Sequence, residues 1–258
     1  MRSVIYLWHS RALIFGVPVN AAPHSHHALQ LSIGLDKKFS LRCGQSAKRE
    51  MMNAALIGAN VGHCFGDKTG LLVNLYLDPE SRIARELAKK FAADSYLTIN
   101  YSDIEPFLPS LQKGWESSIS CREAITLTDD LLQKVFQTKK SETAFDPRIE
   151  RALEILRGAP DNLISAETVA GEIALSPSRF AHLFRAEVGL PVRRYLMWMR
   201  LRNAVRMLGG GDSLTTVAHA AGFADSAHLT RTFKQMFGIA PSDIFQNSRF
   251  VQVNFCDE

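Results

Sequence analysis

The chain has 258 residues, which is enough for two domains that each bury a core of their own. Hydrophobic residues make up 46% of it, an ordinary globular fraction, and its formal net charge of +4 is too small to indicate nucleic-acid binding by itself. The four cysteines are scattered without a Cys-x-x-Cys pair, which disfavours a zinc finger or a disulfide framework and favours reduced thiols. Because the amino-terminal apolar stretch is too short for a signal peptide and no apolar run is long enough for a transmembrane helix, we expect a cytoplasmic protein without membrane contact.

The first part of the chain, to residue 77, has a strand-like pattern. Short apolar segments alternate with Gly, Pro, Asn, His or charged turns, and they lie at residues 4–7, 12–15, 29–33, 54–57 and 71–77. Several short strands at this spacing predict a small antiparallel barrel or sandwich.

The pattern changes at Asp78 and Pro79, where aspartate can cap a helix and proline can occupy its first position. We predict a helix from there to about residue 91, a second over residues 104–111 and a third region over 117–136, with Thr128 as a candidate N-cap. The polar stretch 137–144 has no hydrophobic periodicity and is predicted to be a linker.

The second half of the chain begins with another helix-start signal, Asp146 and Pro147, and then contains an internal repeat. Segment 169–175 recurs as segment 217–223, and each copy is followed by an amphipathic segment with basic residues. A short apolar helix, a tight turn and a second apolar helix with a basic face are typical of a helix-turn-helix. Between the copies, residues 192–208 predict one long helix that would hold two such units at the spacing of neighbouring major grooves, about 34 Å.

Charge supports this interpretation without deciding it. Basic residues outnumber acidic ones between residues 176 and 240, while flanking acidic residues bring the wider region close to neutral. A basic stripe fits a phosphate-binding surface, and a solvated helix face is the alternative.

The region from about Asp146 to Phe245 resembles the AraC family of bacterial transcription regulators. The spacing of glycine, aromatic and proline residues between Val217 and Pro241 carries most of the resemblance, and the internal repeat agrees with it independently. The resemblance implies a seven-helix domain with two helix-turn-helix units. It further implies binding to double-stranded promoter or operator DNA, with RNA polymerase as a further candidate partner.

The resemblance and the helical spacing together give a set of candidate DNA-binding residues. Phenylalanines on each predicted recognition helix face the core, so the residues between them face outward. The candidates are Ser178, Arg179, Ala181, His182, Arg185, Ser226, Ala227, Thr230 and Arg231. Arginine can donate two hydrogen bonds to guanine, serine and threonine can contact bases or phosphates, and alanine offers only an apolar contact. Phosphate contact or solvent is the alternative for each polar position.

The first half of the chain resembles, less specifically, the cupin-type effector domain of the same family. The matching segments are residues 23–31, 58–63 and 75–79. In metal-binding cupins, two histidines, a carboxylate and a later histidine bind one divalent ion. The resemblance makes His24, His26 or His27, and His63 candidate ligands.

A glutamine stands where such a site needs its carboxylate. Gln30 is the nearest residue to the expected position, and a neutral amide is a poorer ligand for a divalent transition metal than a carboxylate. We therefore predict that no metal is tightly bound and that the protein has no cofactor.

These patterns predict an α+β protein. A cupin-like barrel occupies residues 1–77, a helical dimerisation segment 78–136, a linker 137–144 and an all-α double helix-turn-helix domain 145–247. We expect a homodimeric transcription regulator without catalytic residues, in which an unidentified small-molecule effector acts through the first domain. Two alternatives remain. Retained metal, with turnover lost in His63→Ala, would favour a cupin metalloenzyme fused to a DNA-binding module, and absence of any ligand response would favour a DNA-binding adaptor.

Overall fold

The computed structural model describes residues 3–8, 10–16, 22–44, 48–66, 70–90, 96–138, 145–159, 164–245 and 251–256. The chain divides into two compact units, residues 1–140 with 233–258 and residues 141–232, and this division crosses a helix near the end of the chain. The first unit is rich in strands and the second is helical, so the predicted α+β class is confirmed.

The first unit contains two sheets. Its strands are β1 (Ser3–Leu7), β2 (Arg11–Gly16), β3 (Leu29–Gly34), β4 (Phe39–Cys43), β5 (Glu50–Met52), β6 (Ala54–Ile57), β7 (His63–Phe65), β8 (Leu72–Leu77), β9 (Tyr96–Ile99) and β10 (Val251–Phe255). The larger sheet has the order β10-β1-β2-β8-β3-β6-β9, and the smaller one has the order β5-β4-β7. Neighbouring strands are antiparallel except β1 and β10, which are parallel.

The five strands predicted from the sequence are confirmed as β1, β2, β3, β6 and β8, with small changes at their ends. Strand β9 lies inside the segment that was predicted to be helical, and that prediction is wrong there. Its residues Tyr96, Thr98 and Ile99 are aromatic or β-branched, and the strand extends the larger sheet by pairing with β6.

The two faces of the larger sheet differ in chemistry because side chains alternate along each strand. On β3, Leu29, Leu31 and Ile33 enter the main apolar core of this unit, which also contains residues of the helices that follow the strands. Gln30 and Ser32 are fully buried and belong to the opposite face. The interior of the first unit therefore has a polar region next to its apolar core.

Among the described residues up to 138, the first unit also contains the helices α1 (Arg82–Ala88), α2 (Tyr101–Ile104), α3 (Leu108–Glu116) and α4 (Cys121–Phe136). The N-cap of α1 is Ser81, whose side chain accepts a hydrogen bond from the Ala84 amide, so the predicted start at Asp78 and Pro79 is wrong. Asp78 is instead buried before the helix, where its amide donates to the Ser10 carbonyl.

The start of α4 also differs from the prediction. Ser120 and Glu123 form a reciprocal capping box there, which satisfies backbone amides at the end of the helix. Thr128 is not the N-cap. It is buried within the helix, and its hydroxyl donates to the Ile125 carbonyl.

A disulfide joins Cys121 at the start of α4 to Cys256, which follows β10. The prediction of reduced thiols is wrong for this pair, whereas Cys43 and Cys64 are free and buried. Hydrogen bonds hold β10 in the same place, because the Cys256 amide donates to the Leu7 carbonyl at 2.9 Å. Disulfides are rare in the cytosol, so the cysteines no longer support a cytoplasmic location.

In the described residues from 145 to 245, seven helices follow: α5 (Pro147–Gly158), α6 (Ala166–Glu172), α7 (Pro177–Val188), α8 (Val192–Gly209), α9 (Leu214–Ala220), α10 (Ser226–Phe237) and α11 (Pro241–Phe245). The predicted repeat appears as α6–α7 and α9–α10, and the long helix between the copies is confirmed as α8. The predicted cap of α5 is confirmed too, because the Asp146 side chain accepts from the Arg148 amide. In the part of the chain that the structure describes, no helix is both long and apolar enough to cross a membrane.

Candidate functional site

The turns of the two helix-turn-helix units have the same backbone geometry. In the first unit, the Ala174 amide bonds to the Gly171 carbonyl at 3.1 Å and the Leu175 amide bonds to the Ala170 carbonyl at 2.9 Å. In the second, the Gly222 amide bonds to the His219 carbonyl at 3.1 Å and the Phe223 amide bonds to the Ala218 carbonyl at 2.8 Å. The residue at the corner has a positive φ in both, 54° at Ala174 and 76° at Gly222. The sequence repeat is therefore a repeat of structure.

Helix α7 is fixed by its apolar side and by its caps. Phe180, Phe184 and Val188 are buried in a core shared with α5, α6 and the first part of α8. At its start, the Ser176 side chain accepts a hydrogen bond from the Arg179 amide. The five candidate residues of this unit are exposed, and they are Ser178, Arg179, Ala181, His182 and Arg185. This helix presents two arginines, a histidine and a serine to solvent on a rigid support.

Helix α10 has the same division of faces. Leu229, Phe233 and Met236 are buried, while Ala227 and Arg231 are exposed. Ser226 and Thr230 are half-buried.

The hydroxyl of Thr230 is already engaged within α10. It donates its proton to the Ser226 carbonyl at 2.8 Å, so only the lone pairs of the hydroxyl oxygen remain to accept a further hydrogen bond. Thr230 is therefore better placed to accept than to donate, whereas exposed Arg231 can only donate.

Sequence inspection missed the residue that orients the start of α10. Asp225 Oδ1 accepts a hydrogen bond from the His228 amide at 2.6 Å, and this bond is the main cause that lowers the pKa of the Asp225 carboxyl. The nearby Arg231 guanidinium lowers the same pKa further. An aspartate directly before an amphipathic segment is a known N-cap signal, so the residue could have been found.

A second group of candidates lies inside the strand-rich unit. His24, His26 and His63 are all buried, and one ring nitrogen from each lies within 4.8 Å of the others. A two-stranded bridge between His24 and His63 and the segment leading into β3 bring them together. His27 is not part of this group, because its Nδ1 lies against Asn60 Oδ1.

The three histidines share one hydrogen-bonding arrangement. The Nδ1 atoms lie 2.9 Å from the Ala22 carbonyl for His24, 2.9 Å from the Ala28 carbonyl for His26 and 3.0 Å from the Val61 carbonyl for His63. A carbonyl oxygen can only accept, so each Nδ1 carries the proton. Each Nε2 of a neutral ring then carries a lone pair.

Burial keeps these rings neutral. It lowers the pKa of His26 to about 4 and also lowers the pKa of His24 and His63. His63 Nε2 is buried and has no hydrogen-bond partner among the described residues. Three neutral imidazoles with an orphaned nitrogen fit a divalent transition metal, for which neutral imidazole is the commonest protein ligand.

Gln30, the residue predicted to weaken such a site, lies directly beside it. Its Oε1 is 2.7 Å from His26 Nε2, while its Nε2 donates to Ser32 Oγ at 2.9 Å and to Asn74 Oδ1 at 3.0 Å. The amide oxygen is therefore turned toward the histidines.

Comparison with known proteins concerns mainly the helical region. A family profile described as "Helix-turn-helix domain" matches residues 169–247. The HTH-type transcriptional activator RhaS of Pectobacterium carotovorum is 34% identical over 119 residues, which cover 44% of this chain and 41% of that protein. The arabinose operon regulatory protein of Escherichia coli K12 is 30% identical over 125 residues, with 46% and 42% covered. The chain thus spans less than half the length of these relatives.

Solved structures extend the likeness to the whole fold. A crystal structure of ToxT from Vibrio cholerae O395 superposes with a TM-score of 0.59 at 12% identity, covering 92% of this chain and 97% of that one. An apo variant of ToxT from strain SCE256 gives a TM-score of 0.63 at 10% identity, with the same coverage. At these identities the likeness shows the two-domain fold alone. The profile shows that residues 169–247 contain a helix-turn-helix domain, and the same region is similar to the transcription regulators named above.

Proposed function

We propose that this protein is a sequence-specific DNA-binding transcription regulator whose two recognition helices, α7 and α10, enter neighbouring major grooves. The observation that carries the proposal is the repeated unit itself. Both copies have the same turn, a buried aromatic face and an outward face with exposed arginine. A second helix held in this way after a tight turn is the arrangement with which helix-turn-helix proteins reach base edges.

Helix α8 supports the predicted spacing of the two units. It has 18 residues, which at the helical rise gives a rod of about 27 Å. Its first half contributes Val192, Tyr195 and Met199 to the core of the first helix-turn-helix, and α8 also contacts α9. A packed helix of this length suits a rigid spacer between two DNA-reading units.

The strand-rich unit is proposed to receive the signal, and the helices of segment 78–136 to form a homodimer. A ToxT structure with comparable fold, at a TM-score of 0.59 and 10% identity, is described as bound to an unsaturated fatty acid, which supports an effector role for this type of domain. The relatives are named as a transcriptional activator and an operon regulatory protein, which supports action on promoter or operator DNA. A cytoplasmic location and RNA polymerase as a partner are part of the same proposal. An adaptor without a ligand would instead give no thermal shift with any small molecule.

Arg231→Ala tests the proposal on the full chain. A cognate site is first selected from random duplexes, and affinity is then measured on that site and on unrelated DNA. We expect a loss of about 1–3 kcal/mol on the cognate site, with relaxed preference at one base pair, because a bidentate contact to guanine is removed.

Lys234→Ala is the matched control, since it removes an equal charge from an exposed side chain of the same helix. It should weaken cognate and unrelated DNA alike and reduce the salt dependence of binding. Equal losses on both DNAs for Arg231→Ala would show that Arg231 does not read a base. A folded protein that binds no duplex at low salt would refute the proposed function as a whole.

A further inference from the structure

We infer that the disulfide between Cys121 and Cys256 is a reversible redox clamp on strand β10, and that its reduction strengthens DNA binding. The regulatory half of this inference rests on the proposed function. A protein that acts on DNA in the cytoplasm is exposed to reducing thiols, and disulfides found there are usually transient and redox-sensing. We therefore expect this bond to open and close in the working protein.

The two sulfur atoms differ in their access to solvent. Cys121 is half-buried at the start of α4, whereas Cys256 is buried. An external thiolate such as that of glutathione therefore attacks Cys121 Sγ, which is the more accessible of the two, and accessible disulfides are the ones that exchange readily.

The exchange balances with glutathione as the reductant. The first attack breaks the S–S bond, Cys256 leaves as a thiolate and takes up a proton, and Cys121 is held in a mixed disulfide. A second glutathione thiolate attacks the glutathione sulfur of that mixed disulfide and releases Cys121, which takes up a proton. Two glutathione thiols thus become one oxidised glutathione, while the protein gains two electrons and two protons. Oxidised glutathione reverses the same steps.

Strand β10 depends on this bond because little else holds it. None of the residues Val251–Phe255 is buried, whereas Val4, Ile5 and Tyr6 of the neighbouring strand β1 are all buried. β10 is an edge strand of the larger sheet, and its parallel pairing with β1 is slightly less stable per residue than antiparallel pairing. A segment with few buried apolar contacts opens locally at low cost. Reduction removes its covalent anchor and should let β10 open while the rest of the sheet persists.

The clamped strand is connected to the second recognition helix through a short stretch of chain. The compact unit that contains the sheets also includes residues 233–258, which comprise the end of α10, all of α11 and β10. The ring of Phe245 on α11 lies 6.4 Å from the ring of Phe233 on α10, so α11 packs on the recognition helix. Helix α7 belongs entirely to the other compact unit.

This division gives the direction of the effect. Both recognition helices must enter neighbouring major grooves together, and the closed disulfide ties the chain that follows α10 to the sheets. Opening the clamp allows α10 and α11 to adjust to the groove that the position of α7 and α8 requires. DNA then binds the open state better than the closed one. We expect the reduced protein to bind its cognate site about fivefold or more tightly than the oxidised protein, which is at the lower end of the usual coupling between linked sites.

The test uses the full chain in a Cys43→Ser, Cys64→Ser background, which leaves Cys121 and Cys256 as its only cysteines. Buffers with fixed ratios of reduced to oxidised glutathione set the redox state, and thiol labelling with mass spectrometry counts the reduced cysteines. On reduction, amide hydrogen exchange should become about tenfold or more faster in β10 and stay unchanged in β3, which lies inside the larger sheet.

Affinity for the selected cognate duplex is then measured in both redox states, with Cys121→Ser as the matched control. This variant cannot form the bond, so it should match the reduced protein at every glutathione ratio, and the reduced parent gives the same comparison if the variant does not fold. Equal exchange rates in β10, or DNA binding by the reduced form that is no tighter than that of the oxidised form, would overturn the inference. If neither state binds any duplex at low salt, the proposed function fails and the regulatory half fails with it, whereas the exchange rates alone decide whether the clamp exists.

Discussion

Ala174 and Gly222 occupy the same position in the turn between the two helices of each helix-turn-helix unit. Placing glycine at position 174 and alanine at position 222 should have opposite effects on stability. Ala174 has a φ of 54° although it carries a Cβ, whereas Gly222 has a φ of 76° without one. We expect Ala174→Gly to stabilise the helical region and Gly222→Ala to destabilise it.

The magnitude follows from two opposing terms. Left-handed backbone costs a residue with a Cβ about 1–2 kcal/mol, and alanine recovers about 0.4–1 kcal/mol relative to glycine by restricting the unfolded chain. The exposed methyl group of Ala174 contributes little packing that would be lost. The net change should be about 0.5–1 kcal/mol, upward for Ala174→Gly and downward for Gly222→Ala. Gly222→Val should cost more, because a β-branched residue is an outlier at positive φ.

Urea unfolding of a fragment covering residues 145–247 measures both changes. Trp198 is the only tryptophan in this range, and it is buried in α8, so its fluorescence reports on unfolding. With a denaturant slope of about 1–3 kcal/mol per M, the midpoints should move by about 0.2–1 M in opposite directions at unchanged slope. If Ala174→Gly lowers the midpoint, or if Gly222→Ala leaves it unchanged, the strain argument is wrong and the two turns are not equivalent.

The remaining predictions concern the two cores. Phe184→Ala should lower the free energy of unfolding by about 3–5 kcal/mol and abolish DNA binding, because Phe184 is fully buried against Phe180 and Tyr195. A folded variant with an unchanged urea midpoint would contradict this. Cys256→Ser should destabilise the strand-rich unit by about 2–5 kcal/mol, because the disulfide closes a loop with a sequence separation of 135. Dithiothreitol should lower the melting temperature of the wild type to that of Cys256→Ser and should leave the melting temperature of Cys256→Ser unchanged. A wild-type melting temperature that does not respond to reduction would show that the disulfide does not stabilise the fold.

The helical half could be predicted because its signals are local. The repeat, the apolar spacing and the proline and glycine positions each fix structure within one or two turns, and the helices follow them closely. Asp78 and Pro79 misled for the same reason. They form a good local start signal, but burial of Asp78 and the bond from its amide to Ser10 hold the chain outside the helix until Ser81.

Long-range partners explain what the sequence did not show. Strand β10 is short, and its pairing partner β1 lies at the opposite end of the sequence, so nothing near Val251 identifies it. The three histidines were found from the resemblance of the first half of the chain to metal-binding cupins. The direction of the Gln30 amide was not, because it depends on Asn74 across the sheet.

The parallel pairing of β10 with β1 has a consequence for biosynthesis. The seven-stranded sheet lacks an edge strand until residues 251–256 have been made, whereas all the helices from α5 to α11 are complete earlier. During synthesis β1, with the apolar residues Val4, Ile5 and Leu7, would therefore present an unpaired edge, which is a site for wrong pairing between chains. Most of the strand-rich unit is synthesised before the helical unit, yet its larger sheet is completed only after the helical unit has been made. A chaperone that covers β1 in the interval would raise the yield of folded protein.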